Sequence, residues 1–376
     1  MIFRTLPAAL LLFALVAAAS ATSDSGTIRV AIVENARAVE LRGADIVATE
    51  TGGCESCGPR SWRTDAVRVV VTGGALEVDG RRATGLRLAS DRPIRLNGRE
   101  YGGRLDVLRN GDGALVVVND LPLEEYLVGV LRAESNERWP HEALRAQAIV
   151  SRTYAAYHRV LNAAKPYHIV ASTAHQQFAG RVAPTSPAWA AVQETTGQVL
   201  RWEGELFPAF YHTNSGGYTE DPRTVFSARN MPALRSVVCL LAAGSPHFQW
   251  TLDVRLDDLS DLLKRGNAGV GTVRSIEVTG RTASLRAMVV TVRGSTGTQR
   301  LRGNDFRRIV GYDTLKSTLF AVAVDGELAR FSGRGYGHGV GMCQWGAKGM
   351  AEQGSTAWQI LTFYYPGATL ATLAAR

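Results

Sequence analysis

The sequence predicts an α+β fold in which an antiparallel, β-rich scaffold supports a few packed helices. From Thr27 to Asp120, short runs alternate apolar and polar residues and are separated by Gly, Asn and Asp, as in antiparallel strands joined by tight turns. After Asp120 the apolar residues recur at helical spacing instead. Because strands and helices occupy separate stretches, the pattern is typical of an α+β chain.

Length and charge limit the classes of function. A chain of 376 residues is long enough for two or three domains and a substantial core. Its 45% hydrophobic and 20% charged residues are ordinary globular values. The formal net charge of +8 suits nucleic acid or an anionic cell wall or membrane. Since no dense Lys/Arg run is interleaved with aromatic residues, the sequence argues against nucleic acid and favours contact with a wall.

Residues 1–21 are predicted to be a signal peptide. Arg4 precedes an apolar run over residues 6–19, and the small residues that follow suit signal peptidase, so cleavage is expected near Ala21. An uncleaved N-terminal anchor is the alternative. In either case the rest of the chain is expected to be exported, to the periplasm or the extracellular cell wall. No later segment reaches membrane-spanning length, so no transmembrane segment is expected after the signal peptide.

The chain contains four cysteines. Cys54 and Cys57 form the motif CESC in a Gly-rich turn, and in an exported chain a local disulfide between them is the favoured interpretation. No second CxxC motif completes a four-thiolate zinc site. Cys239 and Cys343 either pair with each other or stay buried as inert thiols, and the sequence leaves both open.

The helices that follow Asp120 organise the chain around one acid. LPLEEYLVGVL opens a first helix, SNERW forms a turn, and Pro140 suits the first position of a second helix. Glu134 is expected in a turn just before that second helix. The second helix carries four polar side chains toward the same region: Gln147, Ser151, Arg152 and Tyr154. An acid ahead of a helix and an Arg within it suit a site that protonates one oxygen and holds others. The alternative is that Glu134 caps a helix or pairs with an arginine.

The remaining elements alternate between strands and helices. They are an extended segment over 167–180, a helix over 183–197, an amphipathic helix over 256–266, a strand ladder over 275–303, a short helix over 304–311 and strands over 319–334.

A glycine-rich segment, GRGYGHGVGMCQWG, spans Gly333 to Gly346. Its glycines let the backbone approach a ligand or another strand, and they are expected to deliver Tyr336, His338 and Gln344 to a surface. A phosphate-binding loop is not expected, because no Lys-Ser/Thr pair follows. The alternative is tight β packing around a core histidine.

Two stretches resemble a known family. The run LPLEEYLVGVLRAESNERWPHEALRAQAIVSRTYAAYH is similar to the core of the SpoIID/LytB family of cell-wall proteins, and GRGYGHGVGMCQWGAKGMAEQGSTAWQILTFYYPGATL is similar to that family's second signature. The resemblance covers roughly residues 105–370. With it, the predicted division is a signal peptide (1–21), an N-terminal β-rich domain (22–104) and a SpoIID/LytB-like catalytic domain (105–376). The β-rich domain is interpreted as a scaffold, with a glycan-binding surface as the alternative.

The resemblance also implies residue roles around a glycan cleft. In similar family members the Glu that matches Glu134 is the catalytic acid, and the Arg that matches Arg152 is important. Arg152 is expected to hold a lactyl carboxylate or a sugar oxygen, or else to form a buried ion pair with Glu142 or Glu125. Six further residues are expected to bind substrate: His212, Ser215, Tyr218, Tyr336, His338 and Gln344. Serine hydrolase chemistry is not expected, because the G-x-S-x-G elbow is absent.

The chemistry needs an acid that protonates the leaving oxygen of a glycosidic bond. A water-using glycosidase needs a second carboxylate. In a lytic transglycosylase the C6 hydroxyl of the substrate muramic acid attacks within the same sugar, so one carboxyl group gives a proton and later takes one. The flanking Val130, Leu131 and Trp139 are expected to desolvate Glu134 and raise its pKa.

Some family members bind zinc through clustered Cys and His residues downstream of the helix pair. The corresponding segment here keeps His168 and His175 but has no Cys beside them. Two His residues are an incomplete tetrahedral set. The sequence therefore predicts no metal and no other cofactor.

The sequence thus predicts an exported peptidoglycan lytic transglycosylase. It would act on peptide-stripped glycan strands, cleave MurNAc–GlcNAc links and leave 1,6-anhydro-MurNAc ends. The alternative is the LytB-like role, a non-catalytic enhancer of a cell-wall amidase, an N-acetylmuramoyl-L-alanine amidase. The absence of added wall-binding repeats favours the enzyme. A third interpretation is a glycan-binding scaffold with a vestigial site.

Overall fold

The structure is a computed structural model that describes residues 26–51, 60–226 and 231–373. The predicted signal peptide with its cleavage site near Ala21 lies outside the described residues, and so do Cys54 and Cys57. Within the described ranges strands and helices are both abundant, which confirms the predicted α+β class. None of the helices in these ranges is long and apolar enough to cross a bilayer.

The N-terminal part forms most of one large curled sheet. Its first ten strands are β1 (Thr27–Ala36), β2 (Ala38–Thr51), β3 (Ser61–Thr72), β4 (Ala75–Val78), β5 (Arg81–Ala83), β6 (Gly85–Ala89), β7 (Ile94–Leu96), β8 (Arg99–Tyr101), β9 (Arg104–Arg109) and β10 (Leu115–Pro122). The neighbours run antiparallel through the order β1-β10-β9-β6-β2-β3-β4-β5. The domain boundary predicted after residue 104 falls inside this sheet, at the first residue of β9.

Two-residue turns set the register of the short hairpins. Asp79 and Gly80 join β4 to β5 with φ of 46° and 81°, and Asn97 and Gly98 join β7 to β8 with φ of 49° and 77°. Positive φ at both central residues matches the right-handed twist of the strands, and Asn-Gly and Asp-Gly adopt it at the lowest cost. The Gly, Asn and Asp punctuation of the sequence therefore marks real turns.

Two helices follow the sheet, α1 (Leu123–Glu134) and α2 (His141–Leu161). Pro140 is the N-cap of α2, with φ −51° and ψ 139°, rather than its first helical residue. The sheet and both helices share one hydrophobic core, to which Leu41, Val107, Leu127 and Leu144 contribute. Because this core is continuous, the sheet fixes the position of the end of α1.

The next elements wrap around α2. They are β11 (Ile169–Val170), which pairs in parallel with β1, then α3 (Pro187–Glu194), β12 (Gln198–Arg201), β13 (Tyr211–His212) and α4 (Pro222–Phe226).

Residues 249–334 form a unit with its own core. After two 3-10 turns (Pro232–Leu234 and Leu240–Ala242) it consists of β14 (Gln249–Arg255), α5 (Leu256–Arg265), β15 (Val273–Arg281), β16 (Ala287–Gly294), β17 (Thr298–Arg302), α6 (Gly303–Val310), β18 (Phe320–Asp325) and β19 (Leu328–Arg334). Two three-stranded antiparallel sheets, β14-β19-β18 and β15-β16-β17, pack with the helices around Leu263, Val290, Phe306 and Phe331.

The C-terminal segment returns to α2. It contains β20 (Met342–Cys343), α7 (Gln344–Glu352), α8 (Ala357–Tyr364) and β21 (Thr369–Thr372). Strand β20 pairs in parallel with β13, and β21 pairs with β12. A second core joins Ile149 and Val150 of α2 to Ile360 and Leu361 of α8. Helix α2 is thus packed between two cores, and residues 211–212 lie against residues 342–343.

Candidate active site at the end of helix α1

Glu134 is the last residue of α1, not a residue of the following turn. Its Oε1 accepts a hydrogen bond of 2.6 Å from the backbone N–H of Gln177. The hydroxyl of Tyr211 also bonds the carboxyl group. Three separate segments therefore meet at this one side chain.

Burial raises the pKa of Glu134 to about 7. The N–H of Gln177 and the hydroxyl of Tyr211 oppose that shift, because both stabilise the ionised form. The helix adds to the effect of burial, since a carboxylate at its C-terminal end faces the negative end of the dipole. Near neutral pH this carboxyl group can therefore either hold or release a proton.

A chain of hydrogen bonds orients the Tyr211 hydroxyl. Tyr126 donates to Oε1 of Gln176 at 3.1 Å, and Nε2 of Gln176 donates to the Tyr211 oxygen at 3.1 Å. Because the Tyr211 oxygen already accepts from Gln176, its own O–H is available to donate to Glu134. This arrangement favours the ionised form of Glu134 once a proton has left it.

A pair of glutamines holds the backbone of Glu134. Nε2 of Gln344 donates to the Glu134 carbonyl at 3.1 Å and lies 3.3 Å from Oε1 of Gln147. Gln147 in turn donates to the Ser151 hydroxyl at 3.0 Å. Gln344 is only 3% exposed. It therefore fixes the end of α1 and does not offer its amide to a bound ligand.

Arg152 is fully buried and does not reach the Glu134 site. Its Nε donates to Oε1 of Glu124 at 3.0 Å, and its remaining N–H groups reach the carbonyls of Val192 and Gln198 at 3.2 Å. Direct substrate contact by Arg152 is thus not available in this structure, and its acid is neither Glu142 nor Glu125. The guanidinium ties α1 and α2 to α3 and β12.

Two of the expected substrate-binding residues are interior. His212 Nδ1 lies 3.1 Å from the Val340 carbonyl, where β13 meets β20, and burial lowers the pKa of His212 well below its usual range. Ser215 is fully buried, and its carbonyl accepts from Nη2 of Arg286 at 2.7 Å. Both residues are interior and do not line an open cleft.

The other expected residues are nearer to solvent. Tyr218 is 39% exposed, and the half-buried Tyr336 donates to Oδ1 of Asp313 at 2.7 Å. His338 is also half-buried, and burial lowers its pKa to about 3, so its ring is neutral. Its ring centroid lies 5.5 Å from that of His212.

Several aromatic and imidazole rings that were not among the expected substrate-binding residues form a continuous strip with His338. Tyr154 and His158, one turn apart on α2, have ring centroids 4.4 Å apart, and His175 lies 4.9 Å from His158. Tyr154 also approaches Phe210 at 5.8 Å. We call this the aromatic strip; its members are Tyr154, His158, His175, Phe210, Phe226 and His338. Its member Phe210 directly precedes Tyr211 in the chain, and the (i, i+4) spacing of Tyr154 and His158 was the one signal for the strip in the sequence.

The two histidines of the possible zinc segment point to different partners. His168 Nε2 lies 3.1 Å from Nε of Arg29, whereas His175 belongs to the aromatic strip. In the part of the chain that the structure describes, no three His, Cys, Asp or Glu residues are grouped as a metal site requires.

Cys239 and Cys343 are both buried free thiols. Cys239 Sγ lies 3.0 Å from the Tyr364 hydroxyl, and Cys343 Sγ accepts from the backbone N–H of Ser215 at 3.2 Å. Of the two arrangements that the sequence left open, the structure has the unpaired one.

Comparison with known proteins gives two family matches. Residues 111–202, which hold Glu134 and Arg152, match the model of SpoIID, described as a stage II sporulation protein. Residues 237–341 match a domain of unknown function, DUF8618.

Three relatives cover most of the chain. An uncharacterized protein of Brachyspira hyodysenteriae (strain ATCC 49526 / WA1) is 32% identical over 273 residues, which are 72% of this chain and 72% of that protein. The stage II sporulation protein D of Bacillus subtilis (strain 168) is 30% identical over 66% of this chain and 74% of its own length. The amidase enhancer of the same strain is 31% identical over 65% of this chain, but the match spans only 40% of the enhancer.

Proposed function

We propose that this chain, which belongs to the SpoIID family of stage II sporulation proteins, is an exported peptidoglycan lytic transglycosylase. It would cleave MurNAc–GlcNAc links in peptide-stripped glycan and leave 1,6-anhydro-MurNAc ends. The observation that carries the proposal is Glu134, a desolvated carboxyl group with its pKa raised to about 7 and a hydroxyl donor beside it. Such a group is suited to general acid catalysis near neutral pH.

The proposed reaction uses this one carboxyl group twice. Protonated Glu134 gives its proton to the glycosidic oxygen as the bond to C1 of muramic acid breaks. The C6 hydroxyl of the same sugar then forms the new bond to C1, and its proton returns to Glu134. The Tyr211 hydroxyl stabilises the carboxylate between the two transfers. No water is consumed, and the enzyme ends in its starting protonation state.

Two acids of the helix pair support a single-acid mechanism because each is bound to other groups. Glu124 pairs with Arg152, and Glu142 pairs with Arg145 at 2.7 Å and accepts from the Ala357 N–H. Neither is a partner of Glu134. Either carboxylate would have to leave these bonds before it could activate water.

The aromatic strip supports a saccharide as the ligand. Its rings are partly open to solvent at Phe226, which is 38% exposed, and at the half-buried His158, His175 and His338. Aromatic faces give a sugar ring apolar contact area. Burial lowers the pKa of His158 to about 4, so this imidazole is neutral and can either donate to or accept from a hydroxyl group.

Digestion of peptide-free glycan, followed by mass spectrometry, tests the proposal. The wild-type chain is expected to produce 1,6-anhydro ends, and Glu134→Gln to lose roughly a thousandfold in rate, the scale of general acid catalysis. Glu125→Gln is the matched control, because Glu125 is an exposed acid on the same helix. New reducing ends that contain an oxygen from water would instead show hydrolysis.

A second candidate function rests on the relative named as an amidase enhancer. In that case the chain leaves glycan intact, and an added N-acetylmuramoyl-L-alanine amidase releases stem peptides faster when the chain is present. Both outcomes are measured in the same digest, and equal stimulation by Glu134→Gln would identify a non-catalytic role.

A further inference from the structure

A groove of about 670 Å³ lies on the unit formed by residues 249–334, and none of its lining residues belongs to the Glu134 site. Its floor is the outer face of the sheet β14-β19-β18. Gln249 faces Arg334 and Thr251 faces Ser332 across β14 and β19, and the residues between them, such as Trp250, point to the core. The floor therefore presents a row of amide, hydroxyl and guanidinium groups to solvent.

The wall of the groove is the turn between β15 and β16. Arg281 anchors it: Nη2 donates to the Phe320 carbonyl at 3.0 Å and Nη1 to the Leu285 carbonyl at 2.7 Å. Leu285 has φ of 67° and is 52% exposed. A bulky residue in the left-handed region is uncommon and costs about 1 kcal/mol or more. The fold thus holds an exposed leucine at the groove in a strained conformation.

The groove is positively charged. Arg281 and Arg334 both line it, and no acid is among its lining residues within the described part of the chain. Other arginines of this unit have acidic partners, such as Arg255 with Glu327 and Arg293 with Glu277. Among the described residues, the guanidinium of Arg334 has no hydrogen-bond or ion-pair partner. A half-buried guanidinium in that state is ready to bind an anion.

We propose that this groove binds a saccharide that carries a carboxylate. Arg334 would pair with the carboxylate, Gln249, Thr251 and Ser332 would bond ring hydroxyl groups, and Leu285 would cover the apolar face of the sugar. The volume lies within the usual range for small-ligand sites. The inference rests on the proposed function in one respect: a glycan strand stripped of peptides carries free lactyl carboxylates, so the groove would hold the strand away from the point of cleavage.

The test follows Trp250, which is buried directly beneath the groove floor, in protein that carries fluorotryptophan and the substitution Glu134→Gln to prevent turnover. The fluorine resonance of Trp250 is identified as the one that is absent from the spectrum of Trp250→Phe. The ligands are a peptide-free tetrasaccharide of alternating GlcNAc and MurNAc, and the uncharged GlcNAc tetramer of equal length. The acidic tetrasaccharide is expected to shift the resonance. Arg334→Gln is expected to raise the Kd about tenfold, the effect of losing one charged hydrogen-bonded contact.

Arg300→Gln, an exposed arginine on β17 outside the groove, is the matched control and should leave the Kd unchanged. Equal binding of the uncharged tetramer, an unmoved Trp250 resonance, or an unaltered Kd in Arg334→Gln with an unaltered melting temperature would overturn the inference. These results are independent of catalysis. A failure of the proposed function would appear instead as intact glycan in digests with Glu134 present.

Discussion

Helix α1 carries Glu124 near its first residue and Glu134 at its last, and these two residues have opposite environments. Glu124, in the first turn, meets the buried guanidinium of Arg152 and the positive end of the helix dipole. Glu134, the last residue, meets a backbone N–H and a tyrosine hydroxyl, and its pKa rises to about 7 because of burial. The same residue type on one helix thus becomes a fixed ion-pair partner at one end and a proton carrier at the other. The presence or absence of a neighbouring cation determines which of these two roles the glutamate has.

The largest expected effect is on stability at the Glu124 end. Glu124→Gln leaves the Arg152 charge buried without its counterion, so the free energy of unfolding should fall by about 3 kcal/mol. Glu134→Gln removes a desolvated carboxyl group that has no cation and should not destabilise the protein. Urea denaturation of both variants measures the difference.

A double variant sharpens this result. Replacing both partners, in Glu124→Gln with Arg152→Met, removes the uncompensated charge and should recover part of the loss. If the double variant is no more stable than Glu124→Gln alone, the ion pair is not the reason for the loss.

The next effect is a pH-dependent stability that comes from the Glu134 end. The folded protein binds this proton more tightly than the unfolded chain, whose carboxyl group titrates near 4.5. Glu134 therefore contributes stability that is fully present below pH 4.5 and is lost as the pH rises through about 7. The loss is at most about 3 kcal/mol. The free energy of unfolding is measured for the parent and for Glu134→Gln between pH 4 and 8, roughly the span of the two pKa values. The difference between the two proteins isolates the contribution of Glu134.

A smaller effect is expected at Gln344. Gln344→Leu removes the hydrogen bond to the Glu134 carbonyl, worth about 1 kcal/mol, and should lower kcat about fivefold without moving the pH profile. Gln359→Leu is the control, since that glutamine caps α8 at Thr356. A shift of the pH profile in Gln344→Leu would mean that Gln344 acts on the carboxyl group and not on the backbone.

The smallest effect is a change of pKa at Tyr211. Its hydroxyl lowers the pKa of Glu134, so Tyr211→Phe should raise that pKa and move the alkaline limb of kcat/KM upward by about half a pH unit. Tyr336→Phe is the control, because the Tyr336 hydroxyl donates to Asp313 instead. An unmoved limb in Tyr211→Phe would show that the two groups do not interact during the reaction.

The fold class follows from local patterns that a sequence shows directly. Alternating residues and turns such as Asn97–Gly98 predict strands, and apolar periodicity predicts α1 and α2. These features depend on neighbours a few residues apart. The sheet continues through β10 because long-range pairing sets its extent, and no local signal marks that limit.

The site was only partly predictable for the same reason. Glu134 stands out beside Leu131 and Trp139. The ion-pair partner of Arg152 could not be identified from the sequence, because Glu124, Glu125 and Glu142 are equivalent until the helices are packed. The donors to Glu134 come from segments about 40 and 80 residues further along. Neutral side chains such as Gln176 and Tyr211 carry no pattern that predicts such a meeting.

The bond between Gln344 and the Glu134 carbonyl spans 210 residues of chain. Contacts at such separation form late, because a long loop must close before they are made. A chain that is still being synthesised or threaded out of the cell holds Glu134 without the groups that set its geometry. The lytic chemistry proposed for this protein would thus reach its full rate only after Gln344 has joined the fold, which limits damage to the wall while folding is incomplete.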